Sequence, residues 1–376
     1  MTTLRPPSDT PTASGQSFLV TFVVILCVIA ALFTFDTFLA RVDRAESRAQ
    51  ATHLFLEGEA LVRANRNREA VDRFRSALFI ARGERAYQLA LARALGATGK
   101  PADAERILAE MLQRDATDAA ANLEMARVLV EEERIAQAIS FYHRAIYGQW
   151  KGGSSGRLTR ARFELIDLLA KQGSSKELLA ELLPIQAEGN TDVAVRKRLG
   201  TLFIVAGSPE RAAAIFRGIL RERPRDPEAH AGIGEAALAA GNYRIAQANL
   251  LTASQLDPTN EAIRQRLALV NRVRALDPMQ RGLGPGEQLR RSRLLVELAT
   301  AVVERCAGPG ADSVKAQVDS ARTFVQRRVR SGRQVEAFDA TLDRAERLWA
   351  LRGDQCGETQ TRDEEAAALV LAKVAQ

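Results

Sequence analysis

The sequence predicts an all-α chain: about six helix-turn-helix units between an N-terminal transmembrane helix and a C-terminal helical cap domain. Three observations predict it. An uncharged apolar run lies near the N-terminus, residues recur at a spacing of 34 through the middle of the chain, and that period is lost after residue 276. A length of 376 residues fits two to three domains. With 12 Pro, 25 Gly and 46% apolar residues, the chain is neither collagen-like nor globally disordered. Three Cys exclude a disulfide-dense small scaffold. His53, His143 and His230 are too widely spaced to suggest a zinc site.

Residues 1–17 (MTTLRPPSDTPTASGQS) are rich in Pro, Ser and Thr and have little to bury, so a disordered N-terminal tail is expected there. Residues 18–40 read as a transmembrane helix. From Phe18 to Phe35 there are 18 residues without a charge; Asp36 interrupts, and Thr37 to Ala40 continue the run before Arg41. As a helix, 18–40 spans roughly 35 Å, more than a hydrocarbon core of about 30 Å. The rival reading is a cleaved signal peptide, which favours a shorter apolar region followed by small residues. Phe38 stands three residues before a cut after Ala40, and it is bulky. Cys27 reads as a small apolar residue facing lipid. Residues 41–50 contain neither Gly nor Pro, so the membrane helix is expected to run directly into the repeating segment.

The period of 34 defines that segment, 41–276. Ala70, Ala104 and Ala138 are 34 apart, as are Ala212 and Ala246, Gly200 and Gly234, Gly207 and Gly241, and Pro224 and Pro258. In 227–260 a small residue stands at position 8 (Gly234) and a Gly in the inter-helix turn (Gly241), followed by Tyr243. Ala246, Ala253 and the closing Pro258 complete the set. Residues 193–226 repeat it with Gly200, Gly207, Ala212, Phe216 and Pro224. Copies at 51–84 (Gly58, Ala70, Phe74, Ala77), 85–118 (Leu95, Gly99, Ala104, Leu108) and 119–152 (Ala126, Leu129, Ala138, Tyr142, Ala145) share the same plan. A six-residue insertion, GGSSGR at 152–157, shifts the phase, which resumes at 159–192 with Leu169, Gly173 and Leu182, and with Leu178 where Ala is usual. Residues 261–276 read as one further helix. Small residues let two helices approach, Gly ends the first helix in a left-handed conformation, and Pro stops the second.

This unit resembles the tetratricopeptide repeat, a 34-residue helix-turn-helix. The resemblance covers 51–276 and implies a right-handed α-solenoid of about six repeats that binds other proteins or peptides on a concave groove lined by the first helices. Carried over residue by residue, positions 2, 5, 9, 12 and 13 place Phe55, Glu59, Val62, Arg63, Leu89, Arg93, Leu123, Arg127, Val130, Lys197, Glu235 and Leu238 on that groove. Apolar patches would anchor a peptide, and Arg93, Arg127 and Lys197 would orient it. The Lys and Asn set with which some members clamp acidic chaperone tails is absent.

Residues 277–376 form a helical C-terminal domain with candidate helices at 288–306, 313–330, 334–351 and 363–374. Its expected role is to cover the last apolar face of the solenoid. Cys306 and Cys356 each sit just past a helix. Paired, they would close a loop of about 50 residues worth about 4 kcal/mol and would place the domain in an oxidising compartment; two free thiols is the other reading. Arg290, Arg291 and Arg293, with Arg327, Arg328, Arg330 and Arg333, form two basic clusters, either solvated helix faces or contacts for anionic lipid or an acidic partner.

Catalytic signatures are missing from the sequence. It holds no phosphate loop, dinucleotide fingerprint, HExxH or serine nucleophile elbow. No catalytic residue, metal or cofactor is therefore expected. The net charge of +7 is mild and both signs are interspersed, and 20 aromatics are thin for base stacking, so nucleic acid is an unfavoured partner. The expected function is a membrane-tethered scaffold, single-pass in a bacterial inner membrane, its soluble part periplasmic, assisting assembly of an envelope complex. Arg41, Arg44 and Arg48 after the span favour the opposite, cytoplasmic orientation, so a cytosol-facing adaptor stays open, as does lipid or nucleic-acid binding through the Arg clusters.

Overall fold

A computed structural model describes residues 14–151, 153, 155–189, 192–306, 312–355 and 361–374. Among them are 17 α-helices and no β-strand. The chain divides into two compact units, residues 1–165 and 166–376.

The first unit begins with α1 (Ser14–Arg63), a single helix of 50 residues. It carries the apolar run into the first hairpin without a break, as the lack of Gly and Pro in 41–50 predicts. Residues 14–17, expected in the tail, are its first turn; residues 1–13 lie outside the described residues. The hairpins then keep the period: α1 with α2 (Asn67–Ile80), α3 (Arg85–Ala97) with α4 (Pro101–Arg114), and α5 (Ala119–Glu131) with α6 (Ile135–Tyr147). Helix α7 (Ser155–Lys171) has 17 residues where the other first helices of the stack, from α3 to α11, have 13, because it starts inside the insertion. It runs through the division between the units.

In the second unit, α8 (Ser175–Ala187) precedes two further hairpins: α9 (Val193–Val205) with α10 (Pro209–Glu222), and α11 (Pro227–Ala239) with α12 (Tyr243–Leu256). Then come α13 (Glu261–Leu276), α14 (Pro285–Cys306), α15 (Asp312–Gln326), α16 (Gln334–Gln355) and α17 (Arg362–Val374). Helix α15 ends four residues before the expected 330, and α16 continues beyond 351.

Hairpin geometry comes from three kinds of residue. Where the two helices cross, three of the first helices carry glycine. A Cβ at Gly58 would lie 2.5 Å from Phe74, one at Gly200 2.7 Å from Phe216, and one at Gly234 2.7 Å from Leu250. On the second helices, Ala70, Ala104, Ala138, Ala212 and Ala246 are fully buried. Leu178, the departure in the fourth copy, is buried as well. In each turn one residue has positive φ: Gly99, Gly173, Gly207 and Gly241, and also Asn65 and Glu133 in the two copies without a turn glycine. Finally, the last residue of a repeat caps the first helix of the next. Asp118 accepts from the backbone N–H of Ala120 and Ala121, Asp192 from Ala194, Asp226 from Ala229 and Asn260 from Ile263. Each cap satisfies one or two of the N–H groups that a helix start leaves without a partner.

The C-terminal helices cover the end of the second unit's stack. One core joins Tyr243, Leu250, Val270 and Val273 to Leu295, Leu348, Val370 and Leu371. The Tyr243 hydroxyl donates to the carbonyl of Leu369 at 2.8 Å, and Lys373 lies 4.5 Å from the Tyr243 ring centre while its ammonium reaches buried Asp277 at 3.2 Å. Helix α17 thereby shields the apolar side of α12 and α13 from water, the capping that a repeat stack requires.

Two substitutions test this packing by thermal or urea unfolding. Gly200→Ala should destabilise by about 1–3 kcal/mol, since the added methyl meets an aromatic ring between two helices. Glu133→Gly should stabilise by about 1 kcal/mol, because it relieves an L-residue at φ +60°.

Candidate protein-binding surface

The residues placed on the first-helix face divide into three groups. Leu123 and Leu238 are buried at 6% and 5% exposure and pack in the core rather than line an open surface. Phe55 stacks on Tyr87 with ring centres 4.7 Å apart and lies 5.7 Å from Phe74, so it joins the first hairpin to the second. Glu59, Val62, Leu89 and Val130 are half-buried and Arg63 is exposed, so these keep open surface.

Four of the charged members, Arg93, Arg127, Lys197 and Glu235, are engaged within the chain. Arg93 on α3 donates to Glu124 on α5 at 2.6 Å. Arg127, one turn further along α5, donates to the same carboxylate at 2.8 Å and to both oxygens of Glu164 on α7, at 2.6 and 2.9 Å. Glu124 has a side chain only 5% exposed, so this is a buried acid held between two arginines. Burial opposes the charge on Arg127, but the hydrogen bonds to Glu164 and the two carboxylate charges outweigh it and raise its pKa. Burial, with Glu164 nearby, also raises the pKa of the Tyr142 hydroxyl. In the second unit, Lys197 meets Asp226 at 2.8 Å and Glu228 at 2.7 Å, and Glu235 meets Arg266 at 3.0 Å. Burial opposes the charge on Lys197, but those two acids outweigh it and raise its pKa. Burial pushes the Glu235 carboxyl up, against the pull of Arg266. Arg93, Arg127 and Lys197, expected to orient a bound peptide, are thus each ion-paired within the chain.

These pairs share a spacing. Arg93 and Glu124, Asp167 and Arg198, and Lys197 and Glu228 are each 31 residues apart, one repeat less one helical turn. Arg127 and Glu164 are 37 apart, the same spacing lengthened by the six-residue insertion. Sequence reasoning missed Glu124 and Glu164, although opposite charges at this offset would have found them. It also missed Arg85 on α3, which forms a bidentate pair with the buried cap Asp118. Burial pushes the Asp118 carboxyl up, yet the bonds from Arg85 and from the Ala121 N–H win and hold it below the ordinary range.

The basic clusters also separate. Arg290 and Arg291 pair with Glu287, which they hold at a pKa of about 2. Arg291 additionally donates to the carbonyls of Arg274 and Asp277 and is a largely buried tie, not a solvated cation. Cys306 is disulfide-bonded; Cys356 lies outside the described residues. No cluster of metal-ligating side chains occurs among the described residues.

Helix pairs repeating every 34 residues, closed on small side chains and tied to their neighbours through first-helix ion pairs, define a helical-repeat scaffold of the kind used for protein interaction. Models of the tetratricopeptide repeat match residues 96–147 and 197–258. The chain thus contains tetratricopeptide repeats over these two stretches. Among solved structures it is similar to YrrB, described as a TPR protein with an unusual peptide-binding site, with 19% identity, covering 51% of this chain and 96% of that one, and a TM-score of 0.41. It is similar to a tetratricopeptide repeat protein from Parabacteroides merdae with 14% identity, 72% and 98% coverage and a TM-score of 0.41. A third is PilW, described as a type IV pilus biogenesis factor, with 16% identity, 58% and 98% coverage and a TM-score of 0.41. No curated protein matches the sequence.

Arg127→Ala should cost about 2–4 kcal/mol, because this more buried side chain (31% exposed) bridges Glu124 and Glu164, whereas Arg93→Ala, whose side chain is 55% exposed and which leaves Arg127 on Glu124, should cost under about 1 kcal/mol. Urea unfolding of the two variants checks the order. Asp118 adds a pH dependence of known sign. Its pKa is lowered on folding, so its contribution is complete above the unfolded value near 4 and is lost as pH falls below that through the lowered folded value. The urea midpoint should fall over that window, and less steeply in Asp118→Asn.

Proposed function

We propose that this chain is a membrane-tethered scaffold that holds protein partners on the first-helix face of its repeats, on the periplasmic side of a bacterial inner membrane, where it assists assembly of an envelope complex. Helix α1 carries the proposal. Its stretch from Phe22 is long and apolar enough to cross a membrane, with none of the apolar window buried. Phe22, Ile29, Phe33, Phe35 and Phe38 are each 60–69% exposed, a surface for which a bilayer is the natural solvent. The same helix continues to Arg63 and forms half of the first hairpin, which moors the stack within a few helical turns of the bilayer. The bonded state of Cys306 supports an oxidising side. Tetratricopeptide repeats are interaction modules, which supports a protein or peptide as the partner. With Arg93, Arg127 and Lys197 ion-paired, the face offers apolar contacts through Val62, Leu89 and Val130 and charged ones through Glu59 and Arg63.

Two measurements check this reading. Blocking thiols in intact membranes before reduction should leave Cys306 unlabelled until reductant is added; immediate labelling would indicate a reducing, cytoplasmic side. A photo-crosslinking residue at Leu89 or Val130 should give discrete adducts in cells, while one at exposed Arg106 on α4 should not. Equal adducts from both positions would remove the first-helix face as the binding surface.

A further inference from the structure

The sequence holds its second arginine cluster at 327–333, between α15 and α16. The fold brings Arg293 of α14 to it. Arg293 donates to the carbonyl oxygen of Arg327 at 2.7 Å, fixing this connection against α14. Arg293, Arg327, Arg328, Arg330 and Arg333 then line one cleft of about 620 Å³ whose single acidic member is Glu336. Several other arginines of this domain are neutralised: Arg290 and Arg291 by Glu287, Arg322 by Glu304, Arg305 by Glu364. In the cleft, none of Arg327, Arg328, Arg330 and Arg333 makes an ion pair with a described residue, and all four are exposed. Four uncompensated guanidinium groups at one concave place repel one another unless an anion joins them.

We propose that this cleft is a second docking site, distinct from the repeat face, and that it takes an acidic peptide segment of a protein partner. Guanidinium forks match carboxylates bidentately, and several around one cleft select a run of them rather than one. Between the arginines the wall is apolar, with Val329, Ala337 and Ala340, which suits short aliphatic side chains spaced between acids. Phe324, the cleft's aromatic residue, has Arg344 over its ring at 4.5 Å, so no base-stacking platform is offered to nucleic acid. A bilayer surface favours a protruding row of cations; here they surround a hollow that an extended chain can enter.

The test is fluorescence anisotropy of the full chain in neutral detergent with a labelled peptide of alternating glutamate and alanine. Saturable binding is expected. Arg328→Glu with Arg330→Glu should weaken it at least about tenfold, and added salt should weaken it too. Arg223→Glu with Arg225→Glu changes net charge equally at exposed arginines outside the cleft and should alter affinity less than about twofold. Circular dichroism confirms folding, and should the charge reversal unfold the domain, Arg328→Gln with Arg330→Gln replaces it with the same expected direction. Absence of saturable binding, or equal loss in the control pair, overturns the proposal. So does cleft-dependent binding of dioctanoyl-phosphatidylglycerol without binding of the peptide, which would assign the cleft to lipid.

Discussion

Each hairpin with a crossing glycine depends on a side chain that is missing. At Gly58, Gly200 and Gly234 the backbone of the first helix lies against a large residue of the second, and any Cβ would overlap it. That contact sets the interhelical distance, and the fully buried alanines opposite let the rest of the helix pack closely. Phe216 shows how the constraint spreads. Its ring fills the space over Gly200 in its own hairpin and also over Gly232 in the next. One aromatic side chain thus fixes both the geometry within a repeat and the stacking between repeats.

Charge fixes what packing leaves free. Helices in contact through small apolar residues can slide along one another, and ion pairs at an offset of 31 residues oppose sliding on the first-helix face. The insertion before α7 does not break this register. Helix α7 lengthens at its start, and Arg127 still finds Glu164. The consequence for binding is a division of labour. On the repeat face Arg93, Arg127, Lys197 and Glu235 are paired internally and Val62, Leu89 and Val130 present apolar surface, whereas four arginines without an acidic partner gather locally at 327–333.

Much of the fold was legible in the sequence, because it rests on local chemistry. A turn glycine in four of the six hairpins, alanine at the helix crossing and a closing Pro or Asp encode the hairpins one at a time, and the apolar run encodes the exposed stretch of α1. The face was less legible. Assigning Leu123 and Leu238 to an open surface treated every repeat as identical, but burial depends on the neighbouring repeat. Asn65 and Glu133 adopt the turn conformation without glycine, so composition does not reveal them. The pairing of Arg93 and Arg127 with Glu124, and the convergence of Arg293 on the 327–333 connection, depend on residues far apart in the chain. Only the 31-residue offset offered a sequence trace of the former.

The proposed tethering requires α1 to be one stiff rod that enters lipid at one end and is built into the first hairpin at the other. Spin labels along this helix, in the full chain reconstituted in vesicles, test it most directly. Labels between Phe22 and Leu39 should be reached by oxygen and shielded from aqueous nickel reagents, with the reverse beyond Arg48. Labels at Leu39 and His53 should give one narrow distance distribution near 21 Å, the rise of 14 helical residues at about 1.5 Å each. Aqueous accessibility along the whole apolar run, or a broad spread of distances across 39–53, would contradict it.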